Sequence, residues 1–416
     1  MTTSSVNIED GRAAAPSELS SVDAAPLTDV RYHYLDNLRA IALLAGVIFH
    51  VGVGYSDIMA ELWPSANSET SFAFDVWTWW MHTFRMPLFF LIAGFFACYL
   101  VAKRGIGGFV KNRLVRIAAP FAVFWPLTMA AIIASFYYAA TVLDSPSPII
   151  QMIKASFENP EAAQGQEQPL STTHLWFIYY LAMFCLGSAA IVKLVGKRER
   201  LFAALMDGRM LFIGLPVLTG IVLIRIGMPH PAPESFVPQP WALAFYGLFF
   251  WVGWVFFSNR ILIDTIAKFW PHLLTVATIS SIVFTLYLPE PISLADVMQM
   301  TGAQPLSVSQ VVQVVTTSLM AWYFTFLFLL LAYRFFNKQS RVLRYVSDGS
   351  YWVYIVHLPI VFHLQFLLQT NDMPIFLEFV LESVATLGIG YLSYAILVRH
   401  TPIGWLLNGR KKKSVQ

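Results

Sequence analysis

Charge is what this 416-residue sequence has least of. Asp, Glu, Lys and Arg together make up 12% of it, about half the roughly 25% of an ordinary soluble domain. So few charges cannot cover a soluble surface, and a water-soluble globular fold is excluded. Cysteine is nearly absent too. Cys98 and Cys185 are the only two and both sit in apolar runs, which leaves no disulfide framework and no thiolate metal site. The histidines lack HExxH-like spacing, so no metal is expected. No Walker loop, dinucleotide fingerprint or Gly-x-Ser-x-Gly elbow is present, and no repeat at a solenoid period. The net charge of +3 says little in total, and nothing points to a nucleic-acid partner. Residues 1–30 are polar and lack a basic segment followed by a short apolar core, so they are not read as a cleavable signal peptide. Their composition predicts a disordered cytoplasmic tail.

Apolar residues supply 57% of the chain and aromatics 15%. They fall in runs of about 20, the length that crosses a hydrocarbon layer of about 30 Å. Ten candidate helices follow, at 34–56, 77–101, 116–142, 173–193, 210–228, 240–258, 270–288, 309–333, 349–368 and 375–398. The fold expected is all-α, a polytopic membrane bundle of about ten transmembrane helices within residues 31–400, ending in a basic cytoplasmic tail at 401–416. The connections alternate in chemistry. Of 27 Lys and Arg residues, 23 lie in the N-terminal tail and one set of loops, while the opposite Pro-rich set holds only Lys154. By the positive-inside rule both termini are cytoplasmic.

Ionisable groups within spans each need an explanation, because insertion costs about 2.5–3.5 kcal/mol at a helix centre. The first helix carries Arg39 and His50, eleven residues apart. At about 100° per residue they share one face, roughly 16 Å apart along the axis. A neutral imidazole there can act as a general base; the plainer alternatives are a snorkelling arginine and a hydrogen-bonded interhelical histidine. The second helix, MHTFRMPLFFLIAGFF, places Arg85 too deep to snorkel, with His82 on a neighbouring face. Gly94 and Ala93 permit close helix approach. Arg113 and Arg116, three apart in KNRLVRIAAP, can face one anion. They serve either a lipid headgroup or the phosphates of a cytosolic cofactor. His174 and Trp176 open the fourth span and are either an aromatic belt or a site. His357 lies mid-membrane just before Pro359. Glu382 is deep enough to want a partner, and Arg85 is the expected one.

At these residues the chain resembles a known family. LDNLRAIALLAGVIFH is similar to the first helix of the acyltransferase family 3 membrane proteins, which carry an Arg, ten residues and a His. FRMPLFFLIAGFF, RLVRIAAPF and SYWVYIVHLPI resemble three further blocks, in family order. Within the family, YLDNLRA, FHVGVGYS and THLWFIYYL resemble the branch that succinylates osmoregulated periplasmic glucans. The resemblance implies that His50 is catalytic, supported by Arg39, and that Arg113 and Arg116 hold phosphates of acyl-CoA, with succinyl-CoA the expected co-substrate. No cofactor is expected to be tightly bound. Arg85 would stabilise an oxyanion or bind a succinyl carboxylate. His82, His174, Trp176, His357 and Glu382 are candidates to meet the carbohydrate acceptor. His50 would deprotonate the attacking hydroxyl or carry the acyl group itself. Membrane lipid, acyl-CoA and a glucan are the implied partners, homo-oligomerisation is left open, and the architecture reads as bacterial inner membrane. A transporter or flippase would fit the same intramembrane charges and Pro-broken helices, as would a family member acting on another envelope glycan.

Overall fold

The computed structural model describes residues 32–409, apart from 145, 160–169, 197–205, 260, 292, 300–305, 339 and 370–372. The expected N-terminal tail and residues 410–416 of the basic C-terminal tail lie outside the described residues. Among those described, every regular element is helical, with one isolated bridge pairing Ser171 and Ser235.

Helix α1 is His33–Val53. Helix α2, Phe72–Arg113, passes through a π-helical turn at Leu114–Ala118 into α3, Ala119–Val142. After the short α4, Pro148–Glu158, a 3₁₀ turn at Thr173–Leu175 opens α5, Trp176–Val195. A second π turn leads into α6, Leu215–Leu223, and then come α7, Pro240–Ser258, α8, Ile261–Lys268, and α9, Trp270–Leu286. The short α10, Leu294–Gln299, precedes the long α11, Val308–Phe335, and α12, Arg341–Leu368. The described chain closes with α13, Ile375–Ser393, a third π turn, and α14, Pro402–Asn408.

Each of the ten apolar segments read from the sequence falls on helix. Among the described residues the number of helices long and apolar enough to cross a membrane is nevertheless seven, or eight if the bent pair α8–α9 counts as one. Two features account for the difference. Met210–Leu223 is too short to count, and Phe72–Val142 is one helical run of 71 residues. At about 1.5 Å per residue such a run would be about 107 Å long, far beyond a hydrocarbon core of about 30 Å. Its break lies at Gly105, where φ is 67°, a conformation that costs a glycine nothing.

Leu127 on α3, Ile282 on α9 and Leu392 on α13 all point outward and are at least half exposed. Lipid tolerates such a surface and water does not. The interior is held by α2, which packs against α1, α5, α7 and α11. Its contact with α7 is backbone against backbone. A Cβ on Gly94 would meet the Phe250 carbonyl, and one on Gly253 the Leu91 carbonyl. Small residues are what close approach requires where lipid supplies no hydrophobic drive between helices. On the other flank α12 packs against α1, α3 and α13.

Candidate active site

Helix α1 carries His50 into the middle of the bundle. Its ring centre lies 5.2 Å from that of His357 on α12, and His357 lies 4.9 Å from His174 on the turn before α5. Three histidines from distant parts of the chain thus form one cluster. Among the described residues no three His, Cys, Asp or Glu side chains are grouped to hold a metal ion.

Local sequence explains how two of the three rings are held. Pro359 has no N–H, so the carbonyl four residues back, Ile355, lacks its helical partner. Nε2–H of His174 donates to that carbonyl at 3.0 Å, and its Nδ1 faces the Thr173 hydroxyl at 3.3 Å. Thr173 itself sits at φ 49°, an uncommon conformation for a β-branched residue and a kind of strain that gathers at functional sites. The segment is clamped from both sides. Thr172 N–H donates to the Glu234 carbonyl at 2.7 Å, and Tyr354 O–H donates to the His174 carbonyl. Nδ1–H of the fully buried His357 donates to the Tyr354 carbonyl at 2.6 Å, leaving Nε2 buried and unpartnered. His50 differs from both. Its buried Nδ1 has no partner, and its ring lies parallel to Trp63 at 5.9 Å.

Arg85 lies beside this cluster, 8% exposed, with its guanidinium 4.3 Å from the Phe49 ring centre. Gly46 makes the room: a Cβ there would collide with Nη1 of Arg85. The expected pairing of Arg85 with Glu382 is not what the structure holds. Oε2 of Glu382 accepts from Tyr55 O–H at 3.0 Å and from Gln365 Nε2–H at 3.3 Å. Gln365 in turn accepts from Trp63 Nε1–H at 3.1 Å and from the Ser65 hydroxyl. Two more acids pin the α1–α2 loop, Asp75 accepting from the Ser56 hydroxyl at 2.5 Å and Glu378 from the Asn67 amide at 3.0 Å. Glu382 therefore reaches the cluster through Gln365 and Trp63, by holding an indole against His50.

His82 sits one aromatic ring away, stacked on Phe49 at 5.9 Å, and its Nε2–H donates to the His230 carbonyl at 2.8 Å. Trp176 is not part of the cluster. It is buried in the core against Tyr246, with ring centres 5.1 Å apart.

A second feature occupies the end of the bundle nearer Arg39. A cavity of about 390 Å³ is lined by Arg39, Arg104, Arg113 and Arg116, with Asp348 and Tyr351 of α12 and Leu407 and Asn408 of α14. Arg39 also lies 3.8 Å from Asp36, and Arg116 donates to the Leu407 carbonyl at 3.4 Å. Cavity and cluster are carried by the same four parts of the chain. Leu43, Phe89, Phe177 and Tyr351 line the cavity, and within two turns of each lie His50, Arg85, His174 and His357 respectively.

A family model described as an acyltransferase domain matches residues 32–398. The chain belongs to acyltransferase family 3. It is a multi-pass membrane enzyme that transfers acyl groups. Relatives in Salmonella paratyphi B, Salmonella agona and Salmonella dublin, each called glucans biosynthesis protein C, are 23% identical over 390 residues, covering 91% of this chain and 95% of theirs. No solved structure matches.

The enzyme's cavity and cluster include groups that sequence reasoning passed over. Arg104 looked like one more topological charge in KRGIGGFVKNR. His230 lay in a Pro-rich loop that reads as pure turn, where a histidine between two prolines was the available signal. Trp63 and Gln365 gave none, because a tryptophan in a loop between spans and a glutamine near a helix end are ordinary in any membrane protein.

Proposed function

We propose that this acyltransferase moves a succinyl group from cytosolic succinyl-CoA to hydroxyls of a periplasmic glucan, in the inner membrane of a bacterium. The observation that carries the reading is the stacking of a four-arginine cavity under a histidine cluster along the same helices. A CoA thioester needs fixed cations for its phosphates and a reactive imidazole about a pantetheine arm away. Arg113 and Arg116 bind the phosphates, with Arg39 and Arg104 beside them. The thioester reaches His50, which acts on the reacting atoms as base or as acyl carrier.

The crossing number and orientation belong to the same proposal. About ten crossings with both termini cytoplasmic follow from span length and cation placement, and they turn the arginine cavity to the cytosol, where CoA is. The acceptor enters from the opposite side, where the α1–α2 loop presents Trp63. The names of the relatives support a glucan acceptor, and Arg85, which has no carboxylate partner among the described residues, supports an anionic acyl group.

Mass spectrometry of periplasmic glucans tests this in a deletion strain, in the strain complemented with wild type, and in the strain carrying His50→Ala at equal abundance. The expected result is an anionic acyl substituent present only with wild type. Identical glucans in all three strains would remove the glucan assignment and leave another acceptor, or transport, to be sought.

A further inference from the structure

A general base needs one bare ring nitrogen, and its other N–H needs an acceptor that stabilises the imidazolium formed. Of the three clustered histidines, one has both. His174 has each nitrogen facing a partner, the Ile355 carbonyl and the Thr173 hydroxyl. His50 has a bare, buried Nδ1 and no carbonyl or carboxylate bonded to its ring. His357 donates Nδ1–H to the Tyr354 carbonyl at 2.6 Å and leaves Nε2 bare in a fully buried setting. The His50 and His357 rings are 5.2 Å apart between centres, with no hydrogen bond between them among the described residues. An imidazole without an orienting acceptor is better suited to bond formation than to holding a proton.

We propose that His357 takes the proton of the acceptor hydroxyl and that His50 carries the acyl group. The proposal rests on the reading of the chain as an acyl-CoA-dependent transferase. In the first step the unprotonated nitrogen of His50 attacks the thioester carbonyl and the carbon–sulfur bond breaks. The departing thiolate collects the proton from the other nitrogen of His50, leaving an acyl-imidazole and CoA thiol. In the second step the acceptor oxygen attacks the acyl carbon while its proton passes to Nε2 of His357. The carbon–nitrogen bond breaks, and the His50 imidazolide recovers its proton from His357. Both rings end neutral, and the net change is thioester plus alcohol to ester plus thiol.

The division of labour separates two measurements in detergent-free nanodiscs. One is exchange of labelled CoA into succinyl-CoA with no glucan present, which needs His50 alone. The other is acylation of glucans purified from a strain lacking the enzyme, which needs both histidines. His357→Gln is expected to keep exchange within about threefold of wild type while glucan acylation falls about 100-fold or more. His50→Gln is expected to lose both. His357→Asn is the second variant, since its amide can replace Nδ1–H toward the Tyr354 carbonyl without supplying a base. Glucan acylation by wild type without any exchange would overturn the proposal, as would equal loss of both activities in the His357 variants, or glucan acylation by them within threefold of wild type. A wild-type enzyme that moves no acyl group from any CoA thioester would instead remove the donor assignment, and the proposal with it.

Discussion

The arginine cavity and the histidine cluster sit a few turns apart on shared helices, yet they are built by opposite rules. Among the described residues the cavity gathers four cations and one acid, Asp348, at the end of the bundle where long side chains can be hydrated. It does not need exact positions, because charge acts over distance and arginine forks adapt. The cluster gathers three imidazoles, two of which are fixed by hydrogen bonds to backbone carbonyls. One of those carbonyls is free only because Pro359 follows it. Binding tolerates looseness and chemistry does not, and the two regions predict different kinetic consequences of damage.

The largest effect should come from the cluster. His50→Ala is expected to lower acyl transfer about 1,000-fold or more, within the range that loss of a reacting group produces, with donor affinity nearly unchanged. Donor binding measured by calorimetry alongside turnover checks the split; a parallel loss of CoA binding would show that cavity and cluster are not separable. Next comes the cavity. Arg113→Ala combined with Arg116→Ala is expected to raise the KM for the CoA donor at least tenfold, since hydrogen bonds to charged groups contribute about 1.5–3 kcal/mol each and partial exposure discounts that. Turnover at saturation should change little. The salt dependence of KM should flatten in the same variant, and an unaltered salt slope would argue against phosphate contacts.

A smaller effect tests whether the outer network serves the cluster. Trp63→Phe keeps a ring over His50 but removes the N–H that Gln365 accepts. Turnover is expected to fall about three- to tenfold, the equivalent of one modest hydrogen bond, with the KM for donor untouched. If turnover is unchanged, the chain from Glu382 through Gln365 to Trp63 only holds the loop.

How much of this the sequence revealed follows the same division. Arg39 and His50 share one helix, so arithmetic at about 100° per residue was enough to align them. Arg113 and Arg116 were legible for the same reason, being three apart on helical backbone. Hydropathy put Arg85, His357 and Glu382 within apolar runs, and all three are buried on long apolar helices. It could not give rotation about the bundle axis, so Arg85 and Glu382, matched by depth and sign, were paired wrongly: α13 turns Glu382 to Tyr55 and Gln365. The ten segments outnumber the seven or eight long apolar helices among the described residues because one helical run, bent at Gly105, carries two of them and Met210–Leu223 is short. His230 was out of reach because its position depends on the folded course of a loop rather than on any period.

That loop supplies the smallest effect. His230 lies between spans and is 1% exposed; burial pushes its imidazole down to about 4. The unfolded chain takes up a proton near pH 6.5 while the folded chain does not, so the stabilisation is complete above that pH. It falls as the pH drops from about 6.5 toward 4, by up to about 1.4 kcal/mol per unit for this one residue. His230 holds the clamp at Glu234 and the partner of His82 on one short segment, so acid should loosen the cluster's outer wall before it reaches the arginine cavity. Thermal unfolding of wild type and His230→Gln at pH 7.5 and pH 5 reads this out. The variant should be less stable than wild type at pH 7.5 and lose less on acidification, with CoA binding at the cavity unaffected by the change. Equal slopes for the two proteins would mean that the imidazole is hydrated or shares its proton with His82, and the loop would then add geometry to the site without adding pH sensitivity.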